Sequence, residues 1–293
     1  MGTASGLRAR SNDESMKYED YDPTSNFAEL HGIVVAMVDA QGGQPIPAGL
    51  EWQNDRQTLA KKFAHHLQTI WTISQGSTMV VRGHESPFVD HGSIKVLARA
   101  VLENFIVFAK IFGDPEPETC RFRHMTWKFG GLKERQAINV STPENRAKQT
   151  SEAIQLAGLL AEIKAHPLFS KLSKGDAGSI EKGNWKLGRS WQDLAVDAGL
   201  SERYFRNIYP YLCGYSHSGY AAAMQVGQAS DLGAQAEQST AMFGVMNLCM
   251  ARFAELYARL FPLAAETLRD SPKAAYDLWN IDAARFQKLY ESR

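Results

Sequence analysis

From Phe27 onward the apolar residues recur at helical spacing. Phe27, Leu30, Val34 and Met37 form one stripe, which stops at the turn-rich run Gly42-Gly43-Gln44-Pro45-Ile46-Pro47. Leu59, Phe63, His66, Leu67, Ile70 and Ile73 predict a second helix that ends near Gly76. A third is predicted to open at Ser86-Pro87, a cap followed by proline in the first turn, and to close at Gly113-Asp114-Pro115. Within it Ile94, Leu97, Val101, Phe105, Phe108 and Phe112 face one way, while Val96, Leu102, Val107 and Ile111 fill the flanks. A helix apolar on so many sides is expected at the centre of the fold, as its most buried element.

The pattern continues with a helix over Glu118–Arg135, broken at Gly130-Gly131, and another that starts at Ser141-Thr142-Pro143-Glu144 and stops before Pro167. Residues 168–189 are rich in Gly, Ser and Lys and read as a connection. Ser190 with Asp193 caps a short helix ended by Gly199, and Ser201 caps the next, which carries Pro210. Met242, Met246, Cys249, Phe253, Leu256 and Leu260 make a long stripe before Pro262, and Ser271-Pro272 opens a last helix using Leu278, Ile281 and Leu289. The only strand-like run is Met79-Val80-Val81, and there is no internal repeat. The fold class is therefore all-α, an irregular multi-helix bundle around a central buried helix. Residues 1–25, with five acidic residues between Asp13 and Asp22 and little apolar material, read as a disordered polar leader to a single helical domain over 26–293.

Charge changes this picture by exclusion. Lys+Arg and Asp+Glu both number 32, so no overall basic field holds the chain to nucleic acid, and any such binding must use a local patch. Cys120, Cys213 and Cys249 are far apart and form no Cys-x-x-Cys pair, which argues for reduced thiols and a cytoplasmic protein. The N-terminus lacks the apolar run of a signal peptide. Lys95, Arg99, Glu103 and Lys110 interrupt the most apolar stretch, so it is not expected to span a membrane.

Phosphate loops, dinucleotide fingerprints, nucleophile elbows and zinc-protease helices are missing from the sequence, and no cofactor is implied. Arg99 and Glu103, four apart, share a helix face, either as an ordinary ion pair or as a phosphate clamp with its carboxylate partner. His217 follows a tyrosine-rich stretch, Tyr209-Pro210-Tyr211-Leu212-Cys213-Gly214-Tyr215-Ser216, at the end of a predicted helix. There it either caps the last carbonyls or acts as an acid or base. His84, Glu85, Asp90 and His91 carry metal-ligand chemistry, but an acidic group at a helix start needs no metal to explain it, and no metal site is assigned. Arg121, Arg123 and Lys128, interleaved with Phe122, His124 and Trp127, make a candidate nucleic-acid patch, to which the lysines of 168–189 add. Basic solvated faces on helices with aromatic cores give the same pattern.

Two motifs, Arg99-x-x-x-Glu103 and Trp191 followed by Tyr209-x-x-Leu212-Cys213-x-x-x-His217, resemble those of a bacterial helical family of unknown function with HEPN-like character. That family carries serine where this chain has Cys213. The resemblance covers about residues 86–220 and implies that Arg99, Glu103 and His217 belong to one site. RNA-cleaving HEPN proteins carry an Arg followed by four to six residues and then His, whereas His217 follows Arg206 after ten. Two functions are therefore expected to compete. One is binding or cleavage of a phosphate-containing ligand such as RNA, with His217 as acid or base and Arg99 on the phosphate. The other is a non-catalytic interaction module whose 242–260 methionine stripe contributes to a homodimer.

Overall fold

The computed structural model describes residues 22–291, and its architecture is all-α with one small hairpin. The expected leader over 1–25 falls mostly outside the described residues. Asp22 caps the first helix, α1 (Pro23–Ala40), accepting the Thr24 N–H at 3.0 Å. Helix α2 (Asn54–Ser74) follows, then the strands β1 (Ser77–Val81) and β2 (His84–Phe88), and then α3 (His91–Phe112).

The hairpin corrects the expected opening of α3. Ser86-Pro87 lies in β2, where Pro87 pairs with Thr78, and the helix begins only after Asp90, whose carboxylate accepts the Ser93 N–H at 2.9 Å. Arg82 and Gly83, both at positive φ, form the two-residue turn that matches the twist of paired strands. Pro87 is tolerated because a two-stranded hairpin has only edge strands.

The core packs α3 and α2 against α1 and the long helix α11 (Phe243–Leu260). Aromatic rings carry the contact: Phe63 and Phe108 meet Phe253 with centroids 4.5 and 5.0 Å apart, and Phe27 meets Phe243 at 4.7 Å. α11 buries a larger share of its residues than α3, so the expectation that α3 is the most buried helix needs correction. The reason is that the polar row of α3 runs from His91 to Glu103, whereas the exposed or partly exposed polar residues of α11, Arg252, Glu255 and Arg259, are confined to its second half. Met242, Met246 and Met250 are all buried in this core, which leaves the methionine stripe nothing to offer a two-fold interface. Asn247, fully buried on α11, donates to the Pro23 carbonyl at 3.0 Å and fastens the start of α1.

A second, smaller apolar cluster joins Phe122, Met125 and Phe129 of α4 (Pro117–Gln136) to Ile163 of α5 (Pro143–Ala165) and Ile180 of α6 (Lys174–Glu181). The segment 168–189, expected as a plain connection, thus contains a helix that Ser173 caps through the Asp176 N–H. Gly130-Gly131 does not break α4. A Cβ on Gly130 would lie 2.6 Å from the Gly183 carbonyl oxygen and 3.2 Å from Trp185 Cδ1, so glycine serves close approach inside a continuous helix.

The chain continues through α7 (Trp191–Asp197), which begins with a Ser190–Asp193 capping box, and α8 (Glu202–Ser216), capped by Ser201. Then come α9 (Tyr220–Gln228), α10 (Leu232–Thr240), α11 and α12 (Pro262–Asp270). The expected last helix is two, α13 (Ala274–Trp279) and α14 (Ala283–Glu291), with buried Ile281 between them; the side chain of Leu289 lies outside the described residues. Among the described residues no helix is long and apolar enough to cross a membrane.

The two neighbouring glycines of α4 give opposite expectations. Gly130→Ala forces backbone apart and should destabilise the protein by about 1–3 kcal/mol. Gly131→Ala meets nothing within 4 Å and should stabilise it by about 0.5–1 kcal/mol through lower chain entropy and higher helix propensity. Urea midpoints measure both, and a stabilised Gly130→Ala would contradict the packing described.

Candidate functional site

A helix aligns residues four apart, and α3 carries His91, Lys95, Arg99 and Glu103 in one such row. The row faces α8, whose inward side presents Tyr209, Tyr211 and Tyr215. α8 ends at Ser216, and His217 is its C-cap residue, its N–H bound to the Cys213 carbonyl at 3.0 Å. The result is a polar seam along an otherwise apolar contact.

At one end of the seam, Arg99 Nε donates to Glu103 Oε1 at 2.9 Å, and the Tyr209 hydroxyl donates to the same oxygen at 2.7 Å. The Arg99 guanidinium also lies 5.5 Å from the centre of the Tyr209 ring. Arg99 Nη1 meets His217 Nε2 at 3.4 Å, across 118 residues of sequence. An arginine has only donors, so a hydrogen bond at this contact requires His217 Nε2 to be the acceptor. Arg99 and Glu103 are 22% and 26% exposed, so the pair lies at the edge of the seam, within reach of a ligand. Burial works against the Arg99 charge, but Glu103 and Tyr209 outweigh it and raise the guanidinium pKa. Burial, then the Glu103 carboxylate, pushes the Tyr209 phenol up, which keeps it a donor.

One turn back lies a residue that sequence reasoning read only as an interruption in an apolar stretch. Lys95 is fully buried. Its ammonium donates to Gln238 Oε1 at 2.7 Å and to the Tyr215 hydroxyl at 2.9 Å, and approaches His91 Nδ1 at 3.4 Å. The rings of Tyr215 and Tyr211 lie 4.4 and 5.4 Å away. These partners are uncharged amide, phenol and imidazole groups, and among the described residues no carboxylate forms an ion pair with Lys95. Burial lowers the Lys95 pKa to about 8. Burial, with Lys95 beside it, also pushes the His91 imidazole down. The available signal was the repeat of polar residues at His91, Lys95, Arg99 and Glu103, together with the tyrosine spacing of α8.

The remaining candidates are dispersed. His84 and Glu85 stand exposed on β2, while Asp90 caps α3 and His91 is buried. Among the described residues no three His, Cys, Asp or Glu side chains are grouped to hold a metal ion. Arg121 and Lys128, seven apart, share an exposed side of α4. Arg123 turns away from them to pair with Asp114 at 3.0 Å and donate to the Lys110 carbonyl at 3.0 Å, so the three do not form one surface.

These features define a helical protein with a polar seam between two helices that hold an Arg–Glu pair and a histidine. The chain belongs to the family of unknown function DUF5677, whose sequence profile matches residues 63–234. The match is wider than the 86–220 expected and takes in α3, α8 and the seam, while α11 lies beyond it. No curated protein and no solved structure matched the chain.

The buried lysine has a pH signature. Its pKa is about 8 folded and 10.5 when free, so below pH 8 the proton is carried in both states and burial of the charge opposes folding. As pH rises from about 8 towards 10.5 the folded state sheds its proton first, and stability should rise on the order of 3 kcal/mol relative to a chain lacking the group. Denaturant unfolding of wild type and Lys95→Met across this range should diverge in that direction. Parallel curves would show that the ammonium is not buried as described.

Proposed function

We propose that the exposed end of the α3–α8 seam binds a phosphate group of a larger ligand, an RNA strand, and that His217 handles a proton at that phosphate. The observation that carries this reading is the asymmetry of Arg99. Its Nε side is held by Glu103, with Tyr209 on the same carboxylate oxygen, whereas the contact of its Nη1 is with the exposed His217 imidazole. A guanidinium fixed on one edge and open on the other fits the two oxygens of a phosphate. A phosphate there displaces His217 from Nη1 and leaves its unprotonated Nε2 beside the ligand as a proton acceptor.

The finer HEPN-like reading belongs to this proposal, since it supplies the phosphodiester chemistry that an Arg and a His at one phosphate would serve. Arginine and histidine here come from separate helices, α3 and α8, and not from one short motif. Arg121 and Lys128 add exposed positive charge without base recognition.

Fluorescence anisotropy with a short single-stranded RNA tests the reading. Wild type should bind, more weakly as salt rises. Arg99→Ala should lower affinity by about tenfold or more, the loss of a charge-assisted hydrogen-bond pair. Arg121→Glu with Lys128→Glu should weaken binding less and reduce its salt dependence. If the RNA is cleaved, His217→Ala should abolish the cleavage. Absence of binding at low salt, or indifference to Arg99→Ala, would overturn the proposal.

A further inference from the structure

The region over Lys95 is built unlike the rest of the fold. Across 220–240 the buried side chains are Ala222, Ala229 and Ser239, all small, so the segment contributes almost no apolar surface to the core. Glutamines hold it in place. Gln225 Oε1 accepts from the Tyr215 hydroxyl at 2.6 Å, and Gln238 Oε1 accepts from Lys95 at 2.7 Å. Gln235 Oε1 accepts from the Val89 N–H at 2.8 Å, at the end of the hairpin. Apolar side chains of the segment point outward instead, with Tyr220 85% exposed. An element that buries so little apolar surface and is held by three glutamine side chains opens at lower free energy than the core beneath it.

Opening would uncover Lys95 one helical turn, about 6 Å of rise, from Arg99 on the same face of α3. Lys95 and Arg99 together carry two positive charges against the single carboxylate of Glu103, so the seam has one cation in excess, and among the described residues Lys95 forms no ion pair. An anionic oxygen is a stronger acceptor for an ammonium than the glutamine carbonyl that now fills the position.

We infer that α9 and α10 form a glutamine-latched cover over a second phosphate subsite at Lys95, so that the site takes ligands carrying two phosphates in succession. This inference rests on the proposed phosphate binding at Arg99. The first phosphate lies on Arg99 at the open edge. The second replaces Gln238 on Lys95 as the cover lifts.

The full-length protein tests it with two probes, uridine monophosphate, which has one phosphate, and the dinucleotide pUpU, which has two. Wild type should prefer pUpU by about tenfold or more, the worth of one further charged contact. In Lys95→Met that preference should fall to near one. Gln238→Glu, which keeps the shape and gives Lys95 a carboxylate, should also lose the preference, so a folding failure of Lys95→Met does not leave the matter open. Amide hydrogen exchange over 220–240 should speed up on adding pUpU to wild type and not on adding uridine monophosphate. A preference for pUpU that survives both substitutions, or an unchanged cover, overturns the second subsite and leaves the Arg99 reading standing. Uridine monophosphate binding that ignores Arg99→Ala overturns the Arg99 reading and this inference with it.

Discussion

Glu103 accepts two hydrogen bonds on one carboxylate oxygen, from Arg99 on its own helix and from Tyr209 on α8, and the rest of the seam depends on that junction. It fixes α8 against α3 at a polar point where apolar packing alone would allow sliding. With that contact set, α8 ends where His217 reaches Arg99, and Tyr215 falls over Lys95. Removing Glu103 would take the shared acceptor from both Arg99 Nε and the part-buried Tyr209 hydroxyl, a larger loss than the net worth of any single bond. The junction therefore acts as a register pin as much as a source of stability.

Helix α3 divides two environments. Its apolar sides join α2 and α11 in a core of stacked phenylalanines, and its polar row faces α8, α9 and α10. The core side is densely packed: Phe253 touches Phe63, Phe108 and Tyr257, and Phe27 touches Trp71 and Phe243. The other side is secured by hydrogen bonds of amide and phenol side chains around Lys95, Arg99 and Glu103, with little apolar burial in α9 and α10. Dense packing beneath and looser attachment above is the usual division between a scaffold and a ligand-binding surface.

Local signals carried far into the fold. The caps at Thr142, Ser190 and Ser201 mark the starts of α5, α7 and α8, because a side chain that satisfies an orphan N–H is written within three residues of it. Arg99 and Glu103 were legible for the same reason, being neighbours on one helix. Ser86-Pro87 misled because cap-then-proline serves a helix start and an edge strand equally well, and only the Arg82-Gly83 turn and the pairing with β1 separate them. Gly130 looked like a break because its reason lies across space, at Gly183. The partners of Lys95 are 120 and 143 residues away, and Arg123 is drawn off its expected face by Asp114. Contacts of that kind are set by tertiary packing and leave no periodic trace.

The direct test of the account is the protonation of His217 itself, read by nitrogen-15 NMR of the histidine rings. With Arg99 Nη1 donating to it, Nε2 of the neutral ring should be bare and the proton on Nδ1, and the Nε2 signal should shift when a phosphate-bearing ligand occupies Arg99. A neutral ring protonated on Nε2, or an Nε2 signal that ignores both the ligand and the Arg99→Ala substitution, would mean that Arg99 and His217 do not share a site.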